Sequence, residues 1–340
     1  MSKITFKNKC NVPSWMPEVK KKFRKEANEY FTNALLSVPL LKDQNLEVTY
    51  FLEGVGSIVA KIVSSTGETY VMKTTETVNH TNGEICTYKA TTDAGIKVPK
   101  LFYDGIHNDL PFLIMEYFDT GTLSDKLKDK KITLKEVAEI KSKFFCDLKK
   151  VEGQGYGWPV RYEEGILKGN FQDIVEFVDT WFCKKGLLEV AQKHMPSISW
   201  EKDLEYHSNK TKEQNVSGVC KLGTFDFQTG HVFASNPPTL FDPCARLEPE
   251  YFDLAQLIIP FLYNNKESVF LNKDVFAQYQ ANFGPIDADT LLTAVWLQTY
   301  RKATNQLLNT DERRTQNGMH ALGIISNTDL LKAHIERFLG

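Results

Sequence analysis

No C-x-x-C pair, no apolar run of membrane-spanning length and no excess of charge of either sign occurs in these 340 residues. Each absence removes a class of protein. The six cysteines, Cys10, Cys86, Cys146, Cys183, Cys220 and Cys244, are widely scattered. That spacing argues against a disulfide framework and a zinc site, and favours reduced thiols. A net charge of −2 leaves no basic footprint for nucleic acid or an anionic membrane. No stretch is apolar enough for a transmembrane helix, and the N-terminus shows no charged, apolar, small-residue leader. A globular, cytoplasmic protein is expected, with neither nucleic acid nor membrane as partner. Apolar residues make up 42% of the chain, sufficient core for one large or two medium domains.

Periodicity divides the chain. In residues 15–36, Trp15, Val19, Phe23, Ala27, Tyr30 and Ala34 recur every three or four positions, which predicts a helix. Its "EVKKKFRKE" stretch reads as the wet side of that helix. Residues 46–63 are β-branched and broken by Gly54 and Gly56, and "TYVMKT" follows as a third strand. "NGEICTYKATTDAG" reads as a helix closed by Gly95, and "VPKLFYDG" and "PFLIMEYF" as two more strands. This segment is expected to form a five-stranded antiparallel sheet with one inserted helix. From about residue 122 the pattern is helical, in "TLKEVAEIKSKFFCDLKKV", "NFQDIVEFVDTWFCKKGLLEVAQKH", "LNKDVFAQYQANF" and "DADTLLTAVWLQTYRKATNQLL". "GQGYGWP" reads as a glycine-rich loop between the first two.

Several residue types are placed where chemistry would use them. Gly54 and Gly56 let backbone amides approach a phosphate, with Ser57 adding a hydroxyl, although a glycine pair also serves a plain hairpin. Lys73 presents an ammonium from an apolar strand. It is either an edge lysine that snorkels or a phosphate-gripping lysine held by Glu84 of the next helix. Backbone groups around Glu116 and Phe118 could meet an adenine edge, with Ile114 and Met115 near its face. Further on, "GTFDFQTGHVFASNPPTLFDP" puts Asp226, His231 and Asp242 on a hairpin inside a helical region. This is either a metal and proton-transfer site or a turn with polar decoration.

The order of glycine turn, strand lysine, helix glutamate, connecting strand and acid-bearing hairpin resembles the aminoglycoside-phosphotransferase branch of the protein-kinase-like fold. Fructosamine, choline and macrolide kinases belong to the same broad group. The resemblance covers about residues 45–310. It implies an α+β, bilobal fold: an N-terminal helical extension (1–45), a small five-stranded nucleotide-binding lobe (46–118) and a larger, mainly helical lobe (119–340) with catalytic loop and acceptor pocket. The family writes its catalytic loop as H-G-D-x-x-x-x-N, followed by a strand ending in Asp. By that frame Asp226 is the catalytic base, and His231 and Asp242 are the metal ligands. The implied ligands are ATP or GTP and Mg²⁺. Macrolide kinases carry a His at the position of His231, and an imidazole there suits Mn²⁺ at least as well as Mg²⁺. "EPEYFDLAQLI", with Asp253 heading a helix, and "GYGWP" also resemble family segments.

The chain departs from the family where His-Gly becomes Thr224-Phe225. Phe225 cannot copy a glycine's backbone freedom, and Thr224 supplies no imidazole. The resemblance thus implies a nucleotide-dependent kinase acting on a small-molecule hydroxyl, with a nucleotide-binding pseudokinase as the alternative. Acids of the helical region (Glu248, Glu250, Asp287, Asp289, Asp311 and Glu312) could serve a cationic acceptor, or simply start helices and face solvent.

Overall fold

In this computed structural model residues 3–14, 16–52, 56–215, 219–224, 228–242, 245–263, 267–308 and 311–339 are described. Strand β1 (Ile4–Phe6) opens the chain and helices α1 (Glu18–Lys25) and α2 (Ala27–Ser37) follow. Then come β2 (Leu46–Tyr50), β3 (Ile58–Ser64), β4 (Thr69–Thr74), α3 (Val78–Asp93), β5 (Leu101–His107) and β6 (Leu110–Glu116). The five expected strands pair antiparallel, and β1 adds a sixth, parallel to β2, giving the order β1-β2-β3-β4-β6-β5. Period-two alternation explains the faces: in β2, Leu46, Val48 and Tyr50 are buried while Glu47 and Thr49 are exposed. Those inward residues meet Phe31, Ala34 and Leu35 of α2, so the N-terminal helices cover one face of the sheet. Met72 joins this core. Its neighbour Lys73 therefore points to the opposite face, where α3 lies.

The expected single helix over residues 15–36 is two, broken at Glu26, whose φ of −90° and ψ of 2° leave the helical range. Its basic stretch is also not wholly wet. Arg24 is 5% exposed and donates to the backbone oxygens of Asn11 (3.1 Å) and Ser57 (2.8 Å). The guanidinium thereby ties α1 to the residue just before β3.

The rest of the chain runs α4 (Leu123–Lys128), α5 (Leu134–Leu148), β7 (Glu152–Gln154), β8 (Tyr156–Glu163), β9 (Ile166–Phe171), α6 (Ile174–Trp181), α7 (Lys185–His194) and α8 (Trp200–Gln214). It continues with β10 (Val219–Thr224), β11 (Val232–Phe233), β12 (Thr239–Leu240), β13 (Ala245–Glu248), α9 (Phe252–Leu262), α10 (Glu267–Phe283), α11 (Ala288–Leu307), α12 (Glu312–Ile325) and α13 (Thr328–Leu339). Two compact units result. The first comprises Met1–Gly121, Val160–Tyr162 and Phe233–Phe241, and the second Thr122–Pro159, Glu163–Val232 and Asp242–Gly340.

Strands β10-β13-β8-β9-β7 close a small barrel among the helices. The "GQGYGWP" stretch belongs to its wall, not to a loop. Gly155 and Gly157 have φ of 74° and 85°, and a Cβ at either would come within 2.3 Å of Phe171 O or Asn170 Oδ1. Glycine there permits tight strand contact. The predicted helix over 170–194 is likewise divided: its start is strand β9, and α6 and α7 are separated near Phe182. No helix among the described residues is long and apolar enough to cross a membrane.

Candidate active site

The residues singled out from sequence fall in both units. In the first, strand β4 and helix α3 bring Lys73 and Glu84 together, with Lys73 Nζ donating to Glu84 Oε1 at 2.7 Å. Lys73 is 4% exposed and Glu84 9%. Burying two charges is costly unless geometry and further polar contacts compensate. A short ion pair linking the middle of a sheet to a helix fixes the ammonium in one place, as an anion-gripping group requires.

Gly54 lies outside the described residues. Gly56 has open space around its Cα and no positive φ, so neither crowding nor backbone strain demands glycine at that position. Ser57 offers its carbonyl to Arg24. At the far end of the sheet, Met115 is buried in β6 opposite Val71 and Leu101. Glu116 is engaged locally: its N–H donates to Lys100 O (2.9 Å) and its carboxylate accepts from Lys100 N (3.2 Å). Phe118, just beyond β6, stacks on Phe233 with ring centroids 4.8 Å apart. Phe233 in turn stacks on Phe241. Two backbone bonds, Ala234 N to Gly121 O and Leu240 N to Lys97 O, each 2.9 Å, tie the β11–β12 hairpin to the same unit. Its tip is closed by Ser235 Oγ, which donates to Pro237 O (2.8 Å) and lies 2.8 Å from Thr239 Oγ1.

In the second unit, Asp226 lies outside the described residues. Its preceding strand β10 is described: Thr224 pairs with Ala245 of β13 and is buried. His231 ends a short 3₁₀ turn and its N–H donates to Gln228 O at 3.0 Å. Asp242 has φ of 46°, a left-handed conformation that aspartate tolerates better than most residues. An Asp242 carboxylate and a His231 imidazole are donor types that would suit Mg²⁺ or Mn²⁺; among the described residues no three His, Cys, Asp or Glu side chains gather as a metal site.

A bracing pair escaped the sequence reading. Lys149, just after α5, bonds the buried Asp253 at the head of α9, and Asp253 Oδ1 also accepts from Leu254 N at 2.9 Å. A Cβ on Gly223 would meet Asp253 Cβ at 2.9 Å, so the strand leading to Asp226 lies hard against this aspartate. The only signal for Lys149 was two lysines closing an apolar helix, a pattern that usually marks solvent.

Four of the six acids considered for a cationic acceptor have partners within the fold. Asp287 and Asp311 cap α11 and α12 by accepting from Thr290 N (2.7 Å) and Arg314 N (3.0 Å). Asp289 lies 3.9 Å from Lys210. Glu248 is buried and paired with Arg246, whose guanidinium stands over the Trp181 ring at 4.5 Å and the Trp158 ring at 5.4 Å. Burial pushes the Glu248 carboxyl above its ordinary range, against the pull of Arg246.

No protein-family model and no curated protein matches the sequence. Solved structures do match the fold. A thermostable mutant of the aminoglycoside phosphotransferase APH(4)-Ia aligns with a TM-score of 0.55 at 13% identity, over 83% of this chain and 94% of that one. A Plasmodium vivax ethanolamine kinase aligns with a TM-score of 0.53 at 11% identity, over 94% and 97% of the two chains. The GDP complex of wild-type aminoglycoside 2'-phosphotransferase-IIIa aligns with a TM-score of 0.52 at 15% identity, over 88% and 98%. The chain has the kinase-like fold of these structures.

Proposed function

We propose that this chain is a phosphotransferase that moves the γ-phosphoryl group of ATP or GTP to a hydroxyl of a small molecule. The observation that carries this reading is the buried Lys73–Glu84 pair, on a fold shared with small-molecule kinases. Phosphoryl transfer demands little covalent chemistry of a protein; it demands placement and charge neutralisation. Lys73 takes the phosphate charge. Asp226 accepts the proton of the attacking hydroxyl and turns it in line. A divalent ion held by Asp242 and His231 would neutralise charge on the transferring group. Gly54, Gly56 and Ser57 cover the phosphates, and backbone groups near Met115, Glu116 and Phe118 receive the base.

The test is a nucleotide-dependent phosphorylation screen against hydroxyl-bearing metabolites, run beside Asp226→Asn. The wild type should transfer phosphate, and the variant should bind nucleotide while losing about a hundredfold or more in turnover. A wild type that binds no nucleotide ends the proposal.

A second reading is motivated by Thr224, buried in β10 where the family carries histidine. In that reading the chain binds nucleotide without turning it over and acts as an interaction module. Tight nucleotide binding with no transfer to any acceptor, in wild type and variant alike, would select it.

A further inference from the structure

Helices α9, α11 and α12 line an open cavity of about 310 Å³ formed by Gln256, Gln298, Arg301, Lys302, Asn305, Gln306 and Arg314. It lies within the second unit, and no role assigned so far uses these residues. The lining is three cations and four amides, with no acid among them. That composition is unusual for a surface where charges of both signs are evenly mixed.

Arg301 is set apart from the acids near it. Arg246 and Glu248, behind the cavity, pair with each other. Arg301 has no carboxylate within ion-pair distance among the described residues; its guanidinium carbon stands 4.2 Å from the centroid of the Trp181 ring. Burial and the neighbouring Arg246 charge draw the Arg301 pKa down to about 10, against the pull of Glu248. An anion bound beside Arg301 would offset the Arg246 charge.

Polar groups there also await partners. Gln298 is 2% exposed, and its Nε2 faces the Glu248 carboxylate at 3.5 Å. That contact fixes the amide's orientation and leaves Oε1 as a buried acceptor without a hydrogen bond. Gln306 Oε1 is in the same condition. Guanidinium groups recognise phosphate oxygens, and amide oxygens recognise hydroxyls. We propose that this cavity binds a small, hydroxyl-bearing phosphate ester: Arg301 and Arg314 take the phosphate, and the Gln298 and Gln306 carbonyls accept from the ligand's hydroxyls. The volume is at the lower end of small-ligand sites, which suits a ligand of that size.

The experiment is calorimetric titration of the full chain with glucose 6-phosphate and with inorganic phosphate, at constant ionic strength against chloride. Arg314→Gln serves as the first variant, because Arg314 is exposed and its loss should not disturb folding. Arg301→Lys is the second, keeping charge but losing the planar fork. Both probes should bind the wild type, the ester more tightly than the free anion. Each variant should weaken binding about tenfold or more, the loss expected for one charged hydrogen-bond partner. No binding by the wild type, or equal affinity in Arg314→Gln, overturns the site. Arg314→Gln should leave ATP affinity unchanged, so failure here is separable from failure of the nucleotide reading.

Discussion

Phe233 and Phe241 lie face to face, ring centroids 4.0 Å apart and planes inclined by 21°. Phe118 extends the stack from the other side of Phe233. Phe233 follows His231 by two residues, and Phe241 immediately precedes Asp242. Phe233 is the middle ring of the three, so the stack holds the β11–β12 hairpin to the strand end at Phe118. A double-mutant cycle on Phe118→Ala and Phe233→Ala should return a coupling of about 0.5–1.5 kcal/mol in urea unfolding. Phe233→Ala should also weaken Mg²⁺-dependent nucleotide binding more than metal-free binding. Equal weakening of the two would detach the column from metal placement.

Replacing Lys73 alone leaves the Glu84 carboxylate buried beside an apolar group. Lys73→Met is expected to destabilise the fold by about 3–5 kcal/mol, and Lys73→Met/Glu84→Leu by much less, because the second change removes the stranded charge. Nucleotide affinity should be lost in both. Chemical unfolding paired with calorimetry separates these readouts. A double variant that regains ATP binding would show the pair to be purely structural.

His231→Asn exchanges an imidazole nitrogen for a harder amide oxygen. Activity should persist, with the ratio of Mg²⁺-supported to Mn²⁺-supported turnover rising. A metal titration of initial rates in both proteins is sufficient. An unchanged ratio would return His231 to the role of a turn residue whose N–H serves Gln228.

Asp253 is buried and the Lys149 side chain 9% exposed, and their bond backs the strand that ends at Thr224. Lys149→Met should cost about 3–5 kcal/mol of stability through the uncompensated Asp253. Gly223→Ala should be destabilising as well, since its new methyl would press on Asp253 Cβ at 2.9 Å. Urea midpoints test both. A Lys149→Met midpoint within error of wild type would mean that Asp253 is satisfied without the ammonium.

Much of this was legible because patterns of period two and short turns are local. The strands around Lys73, the helix carrying Glu84 and the β11–β12 hairpin all follow from residues near one another in sequence. Elements fixed by distant partners were not. The barrel strands β7 to β9 read as loop and helix because their glycines make room for Phe171 and Asn170, and no local rule announces that. Arg24 looked like one more cation on a wet face, yet its partners at Asn11 and Ser57 are backbone oxygens that no sequence window reveals. Of the acids weighed for a cationic acceptor, Asp287 and Asp311 are told as caps only by the helix starts they serve. Lys149 was missed for the same reason as Arg24.

His207 gives the fold an acid sensitivity independent of any ligand. It is 7% exposed, stacks on Trp296 with centroids 4.6 Å apart, and its Nδ1 lies 3.3 Å from Thr293 Oγ1. Burial, with a smaller contribution from the Lys210 charge, draws its pKa from 6.5 down to about 4. The folded ring is thus neutral where the unfolded one is protonated, so the unfolded state binds the extra proton between those values. Stability from this residue is fully present above the unfolded pKa, falls as pH drops through the window, and is gone below about 4. The slope approaches about 1.4 kcal/mol per pH unit at mid-window, for a total near 3 kcal/mol. His207→Phe keeps a ring against Trp296 and removes the titration. Carboxylates shared by both proteins cancel when the two curves of unfolding free energy against pH are subtracted. The difference should therefore run along a slope from pH 6.5 towards 4 and be flat above. A difference that is flat throughout would mean the imidazole titrates in the fold as it does in the unfolded chain.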